Sequence, residues 1–542
     1  VVTFRIASAL LLGFLGLDAP KTIVDFQPFR QYSSIRNTSV SLINLNPAVN
    51  VWYVLNFGGA AWHLENPRPH QTQVVLDEKY PNGVVIVEGK SRFNCDLSSA
   101  LQQGRASTLI YNPLCGGRLY LRNAAKGERT ALEAGTEFLR TQVWGGENVI
   151  VLFHHILGDR YRETAAGQAS GVAASAAGAG LPTPALLDAS HPAHIAKPQN
   201  LGIEIDAPNM VPGAWYPATG TSGIFVSVMQ PNFAPKSILE GYPKMAHPLD
   251  PVESSSLCFL VAFDLDRFEI GYELGTAHPN VTWSERVIPA QRDAKLAGPD
   301  GFDSVAPLVR TGLLAPEDGR RTAATFTGGY KRTHSAFKWG ELAARNHGSH
   351  YGFIEKGVVF SKLHAGLSTM YMLDDGSFEM KTWTDADNQL LPRIRHARQN
   401  GVTVAEFDPA TQSTIPGKLV ASWENGNWGG SEKGKLRSIR GGAAIQKAGN
   451  KRFLIYAVFS VATPSSMARV FQAYQVNYSM LLDMNALEHT YCAVYRRKGS
   501  EMAVENLMKG MSAMDKQSPN GVIPRFVGYP DNRDFFYVMR KN

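Results

Sequence analysis

An α+β fold dominated by strands is what this chain predicts: a β-rich C-terminal domain with a few packed helices, preceded by a smaller α+β domain. Three observations predict it. Short runs rich in Val, Ile, Thr, Tyr and Phe recur along the chain, such as NVWYVLNF (50–57) and RFLIYAVFSV (452–461), and such side chains suit a pleated, half-buried surface. Gly 50 and Pro 31 supply turns between them. The length of 542 residues exceeds one ordinary core, so several domains are expected. With 44% hydrophobic and 19% charged residues the composition is that of a folded chain and excludes a disordered one.

Residues 1–25 carry one Arg and then an apolar run from Ile6 to Leu17, short for a bilayer span but suited to the h-region of an export signal. They are expected to be an export signal or N-terminal anchor, placing the protein in the periplasm or outside the cell. A buried N-terminal helix or strand is the other reading, and Val1 reads either as an initiator written by its codon or as a point inside a longer chain.

Residues 26–161 form the smaller domain, of unassigned role. In it TQVVLDE and NGVVIVEG read as strands around a Pro-Asn-Gly turn. TALEAGTEFLRTQV has helical spacing and leads into the apolar ENVIVLFHHI, whose adjacent His154 and His155 would point to opposite faces and so read as structural. Residues 162–200 are rich in Ala, Gly, Ser and Pro, bury too little surface to offset ordering entropy, and read as a linker or long surface loop. Residues 201–542 make the second domain. There MLDDGSFEM reads as a hairpin whose Asp374 and Asp375 shape the turn, and TPSSMARVFQAYQVNY as a helix with Thr463 or Ser465 as N-cap and Met467, Val470, Phe471 and Tyr474 on one face.

The formal charge of +7 is a mild excess over this length, without a long basic block, so no nucleic-acid partner is expected. The four cysteines form no CxxC or Cys/His pattern, which argues against zinc. In an exported protein Cys95 and Cys115 are close enough in sequence for a disulfide; buried free thiols are the alternative.

The stretch with most chemistry is LLDMNALEHTYCAVY (481–495), where Asp483, Asn485, Glu488 and His489 interrupt an apolar pattern. A strand end delivering Asp483 to a cleft is one reading. The other is a cap, with Asn485 and Glu488 three apart in a capping-box-like arrangement.

Taken in order, FTGGY (326–330), YGFIEKGVVFSKLHAGLSTMYMLDDGSFEMKTW (351–383), RSIRGGAAI (437–445) and the MARVF helix running into LLDMN resemble the phosphodiester glycosidase family, to which the domain of the mannose 6-phosphate uncovering enzyme belongs. The resemblance covers residues 215 to 500 and lies in the serial order of the motifs. It matches Gly328 and Gly329 to the family's paired glycines, Arg437 to the Arg of its Arg-Thr-Ala phrase, and Asp483 to the Asp of its Leu-Asp-Gly-Gly phrase. Thr327 stands where the family has Asn, and Met484, Asn485, Ala486 and Leu487 replace its glycine-serine turn.

The resemblance implies cleavage of a sugar-1-phosphodiester in an envelope or extracellular glycan. That chemistry needs a cationic clamp for phosphate, support for an oxocarbenium-like sugar and a carboxylate acid/base. Asp483 would be the carboxylate, with His489 or Glu488 as a second acid/base. Arg437 and Arg440 would be the clamp, guanidinium matching phosphate bidentately, and the Gly328 and Gly329 amides would approach the anion with Thr327 and Asn485 beside them. His350, three from His347, reads as a cleft residue, a metal ligand or part of a polar loop. Trp428 in WENGNWGG reads as a sugar-stacking platform or as local core. Asp264 and Asp266 in FDLDRF, two apart on an expected strand, could face a divalent cation, although solvent-facing alternation is commoner. No cofactor and no metal are assigned. The expected partner is a carbohydrate or sugar phosphate. The alternative is an inactive relative that binds a glycan or an envelope protein, or serves as a structural subunit.

Overall fold

The computed structural model describes residues 22–130, 133–134, 162–165, 180–284, 287–331, 352–422, 437–498 and 501–541. The fold is α+β and dominated by strands. Of the expected helix at 130–143 only Thr130 and residues 133–134 are described, and the expected strand at 147–156 and residues 166–179 of the small-residue segment fall outside the described residues; the described part of that segment packs Leu181, Ala185 and Leu187 against the large core and pairs Ile195–Ala196 with Asn209–Met210.

Near the N-terminus a six-stranded sheet runs in the order 31–34, 41–44, 52–57, 60–65, 119–122, 111–114, and a three-stranded sheet joins 72–75, 83–88 and 91–96. One face of this pair encloses a core of its own around Leu55, Trp62, Leu64 and Ile86. The disulfide Cys95–Cys115 closes it, with Cα atoms 5.5 Å apart. Trp52, Val51 and Val54 turn the other way and pack into the large core of the remaining chain. Alternation along strand Trp52–Phe57 thus serves two cores at once.

Three antiparallel sheets build the rest. An eight-stranded sheet is centred on the long pair Ser438–Ala448 and Lys451–Ala462, with Cys258–Asp264 on one side and Tyr478–Met484 on the other. A five-stranded sheet places Thr322–Thr327 between Phe535–Arg540 and Cys492–Lys498. A second five-stranded sheet holds Phe353–Glu355, Ile394–Gln399 and the hairpin Ser368–Leu373/Phe378–Thr382. At that hairpin Gly376 takes φ 80°, and Asp374 and Asp375 bind Arg393 at 2.8 and 2.7 Å, a turn-forming role. Helix Pro464–Ala473 is capped by Thr463, whose hydroxyl accepts from the Ser466 amide, and is buried on all sides.

FDLDRF departs from the strand expected of it. Asp264 ends its strand and Asp266 lies in the following turn, its amide donating to Asp264 Oδ1 at 3.0 Å. Lys451 holds Asp264 at 2.6 Å, so the two acids are not a paired face.

An aromatic seam joins the eight-stranded sheet to the first five-stranded one. Phe326 sits 5.2 Å from Phe536 within its own sheet and 4.7 Å from Tyr456 and 6.5 Å from Phe263 in the other. The seam brings three strand ends together: the C-terminal ends of Tyr478–Met484 and Thr322–Thr327, and the N-terminal end of Phe535–Arg540. Replacing Phe326 by Ala should therefore cost about 3–5 kcal/mol, read as a lowered urea midpoint with unchanged slope; a loss below about 1 kcal/mol would show that the seam is not what aligns these ends.

Candidate active site

Asp483 is the last residue but one of strand Tyr478–Met484 and is buried. The chain then turns at Asn485, φ 84°, and enters a short 3-10 turn, Leu487–His489. That turn begins at Ala486 without a side-chain cap, so the polar cluster is not a capping box. Asn485 Oδ1 instead accepts from the Ser438 hydroxyl at 2.8 Å.

The Asp483 carboxylate has two fixed contacts. Oδ1 accepts from the Met484 amide at 2.8 Å, and Oδ2 is gripped by Arg533 Nη1. Arg533 Nη2 reaches Glu133 at 3.2 Å and donates to His489 Nε2 at 2.8 Å. Since the Met484 carbonyl, 2.8 Å from His489 Nδ1, can only accept, His489 carries its proton on Nδ1 and offers Nε2 to the guanidinium. Glu133 Oε1 is further held by Lys331 Nζ and by Asn532 Nδ2, both at 2.9 Å. Two carboxyl groups, an imidazole, a guanidinium and an ammonium are thus locked together, all buried except the half-buried His489.

These groups titrate very differently. Burial pushes Asp483 up to about 6, with Asp534 and Glu133 adding repulsion that Arg533 only partly offsets. Burial works against charge at Glu133 as well, but Arg533 and Lys331 together hold it well below the carboxylate range. Burial and Arg533 depress His489 well below its ordinary value. Glu488, packed beside it, is raised by burial. Two neighbouring carboxyls pushed in opposite directions are the electrostatic signature of an acid/base site.

A second polar layer lies under the paired glycines. Asp534 is fully enclosed: Oδ2 accepts from Arg398 Nε and the Tyr272 hydroxyl, each at 2.8 Å, and Oδ1 lies 2.8 Å from His278 Nδ1. Burial opposes its charge, yet Arg398 and His278 hold Asp534 well below the usual range. Burial lowers His278, leaving a neutral ring with its proton toward Asp534, and Nε2 has no partner among the described residues. Gly328 and Gly329 line this layer because nothing larger fits. A Cβ on the first would fall 2.4 Å from Asp534 Oδ2 and on the second 2.5 Å from Asn400 Oδ1. The Gly328 amide donates to the Asp534 carbonyl at 2.9 Å, so these glycines serve close packing.

The two arginines of RSIRGG go separate ways. Arg437 is partly exposed and pairs with Asp250 at 3.1 Å, outside the Asp483 cluster. Arg440 is fully buried between two register shifts of its strand, its Nε donating to the Ala462 carbonyl at 2.8 Å and its Nη1 lying 3.1 Å from Met484 Sδ. Thr327 is buried, and its amide and hydroxyl both donate to the Tyr491 carbonyl. His350 and Trp428 lie outside the described residues, as does His347. Asp483, His489 and Glu488 stand together; Arg533, Glu133, Lys331, Asp534 and His278, which adjoin them, are not singled out by the sequence. Among the described residues no group of three or more His, Cys, Asp or Glu is placed to hold a metal ion, and no helix is long and apolar enough to cross a membrane.

No protein-family model matches the chain, and no curated protein matches it. Solved structures show weak likeness. The catalytic domain of zebrafish N-acetylglucosamine-1-phosphodiester alpha-N-acetylglucosaminidase, auto-inhibited by its pro-peptide, is 10% identical over 60% of this chain and 85% of that one, at TM-score 0.30. A hypothetical protein from Synechocystis is 10% identical over 94% and 98%, at TM-score 0.27. A Burkholderia pseudomallei K96243 protein, described on assumption as exported, is 11% identical over 52% and 74%, at TM-score 0.20. Scores this low carry no functional argument, and the chemistry has to be read from this chain's own side chains.

Two outcomes follow from the cluster. Because the folded value of Asp483 lies above its ordinary 3.8, its favourable contribution is complete below that value and is lost as pH rises through about 6. The stability difference between the parent and Asp483→Asn should therefore change by roughly 3 kcal/mol over that window and be flat above it; a flat difference throughout would rule out the raised acid. Removing the shared cation in Arg533→Met should cost about 3–5 kcal/mol in denaturant melts, since two buried carboxylates lose their partner, whereas a neutral change would show the network to be solvated.

Proposed function

We propose that this protein is an exported hydrolase that cleaves a sugar-1-phosphodiester linkage in an envelope or extracellular glycan. The observation that carries the reading is the single guanidinium of Arg533, shared between a carboxyl raised to about 6 and one held ionised. The motif order of the sequence supplies the substrate class, and the apolar run Ile6–Leu17 supplies the expectation of export.

In this reading Asp483 protonates the departing phosphate oxygen, its raised value keeping a proton available near neutrality. Arg533 and Lys331 balance phosphate charge, the part that the motif resemblance implies for Arg437 and Arg440. Glu133 is too weak a base to take a proton from water when its own proton is held so loosely; its fixed negative charge suits an oxocarbenium-like sugar. His489 has both ring nitrogens engaged and orients Arg533. Of the enclosed groups His278 is the one with an unengaged lone pair and a carboxylate behind it, the arrangement of a general base. Water would add to the anomeric carbon as the carbon–oxygen bond to phosphate breaks, giving free sugar and a phosphate monoester.

Purified protein tested on a panel of chromogenic sugar-1-phosphodiesters, with and without chelator, should hydrolyse at least one of them. Asp483→Asn should lower kcat by about 10²–10⁴-fold with the protein still folded. Silence across the panel in folded parent protein would remove the hydrolase reading and leave a glycan- or protein-binding envelope component.

A further inference from the structure

Residues 530–534 run into strand Phe535–Arg540 and carry three side chains of the polar layers, Asn532, Arg533 and Asp534. Their main chain is held from three sides. The Pro530 carbonyl and the Asn532 amide pair with Glu128, at 3.0 and 3.2 Å, on the segment that leads to Glu133. The Asp531 and Asn532 carbonyls accept from the Thr276 and Ala277 amides, at 3.0 and 3.1 Å, on the segment that leads to His278. The Asp531 amide donates to the Gly312 carbonyl at 2.8 Å. All three neighbours come close because each brings a glycine: a Cβ on Gly127, Gly275 or Gly312 would collide with the backbone of residues 531–533.

None of these bonds reaches the turn Leu487–His489, which brings His489 to the same cluster. The ladders of the first five-stranded sheet stop short of both segments, their paired residues starting at Cys492 and at Phe535. One side chain spans the gap. Arg525, 2% exposed, lays Nε and Nη2 on the Asp531 carboxylate at 2.7 and 3.2 Å, a two-pronged grip, while its Nη1 donates to the Glu488 carbonyl at 2.6 Å. Asp531 Oδ1 passes the restraint on, accepting from the Arg533 amide at 2.8 Å. Arg525 is itself fixed at its base, where its amide donates to Asp515 Oδ1 at 2.9 Å. Among the described residues its guanidinium bonds Asp531 and the main chain of Glu488, and not Asp483, Glu133 or His489.

We propose that Arg525 is a positioning residue of the candidate site: by bridging Asp531 and the Glu488 carbonyl, it sets where the Arg533 guanidinium stands against Asp483 and His489. Arg533 is a long side chain whose hold on its partners depends on where its own backbone lies, and a misplacement of about 1 Å is enough to spoil such a constellation. Lysine at this position would present a single nitrogen in place of a planar fork and could not hold both partners. The inference rests on the reading of the Asp483 cluster as an acid/base site, but its test uses no substrate, so a failure here and a failure of the hydrolase reading are told apart.

Urea melts of the full chain at about pH 8, where Asp483 is ionised, measure the coupling between Asp483→Asn and Arg533→Met as a double-mutant cycle. In the parent background the pair should couple by a factor of at least about ten in the folding equilibrium constant. Repeated in an Arg525→Lys background, the cycle should give a factor of about two or less. A merely structural Arg525 would lower the stability of all four proteins and leave the factor between Asp483 and Arg533 unchanged. Asp531→Asn, which keeps the shape and gives up the charge that the fork grips, is the second background if Arg525→Lys does not fold, with the same expectation. A factor in either background within about twofold of the parent's, or no coupling in the parent, overturns the proposal.

Discussion

The site depends on one enclosed cation. Arg533 touches Asp483 from the eight-stranded sheet, His489 from the turn beyond it, and Glu133 from a segment far earlier in the chain. Without it two carboxylates would face each other in a poorly solvated space. Burying a guanidinium is itself costly and is tolerated only when its donors find acceptors in good geometry. Here they do, and the cost is the reason for the arrangement: the groups can neither drift apart nor all be ionised together.

The sheets make such a cluster possible. Phe326, Phe536, Tyr456 and Phe263 lock two sheets through apolar contact that needs no directional partner. The strand ends they bring together can then carry charge, because the alignment does not depend on the charges. Gly328 and Gly329 remove the side chains that would otherwise occupy the space of Asp534 and Asn400. The result is two stacked polar layers, Asp483–Arg533–Glu133 above and Asp534–His278–Arg398 below, joined through the consecutive residues Arg533 and Asp534. The same economy recurs at the junction with the N-terminal sheet, where Arg122 is shared by Glu65 and Glu273.

Much of the architecture was legible in advance. The alternation of β-type residues, the Asp-Gly hairpin at 374–376, the helix opened by Thr463 and the close pair Cys95/Cys115 are local signals, and local signals survive folding. Asp483 at a strand end was legible for the same reason. Its neighbours were not. Arg533 and Asp534 carry only a faint mark, a charged pair abutting the apolar FFYVM, and Glu133 and His278 carry none. The arginine phrase shows a different difficulty. Arg437 and Arg440 are three apart, so even strict alternation sends them to opposite sides and denies them a shared clamp: Arg440 goes inward, and Arg437, just before the strand Ser438–Ala448 begins, goes outward to Asp250.

What the sequence by itself determined was the class of fold and the position of one unusual carboxylate, because periodicity, turn chemistry and a polar interruption of an apolar run act between neighbours. What only the tertiary structure decided was which charges that carboxylate meets. Arg533 lies 50 residues from Asp483 along the chain, and pairing across such distances is set by how sheets stack, which no short stretch of sequence encodes. The protonation of Asp483 belongs to the same level. An aspartate in water is ionised at neutral pH; this one is held near its transition because packing has removed the water and replaced it with one guanidinium shared among too many acceptors.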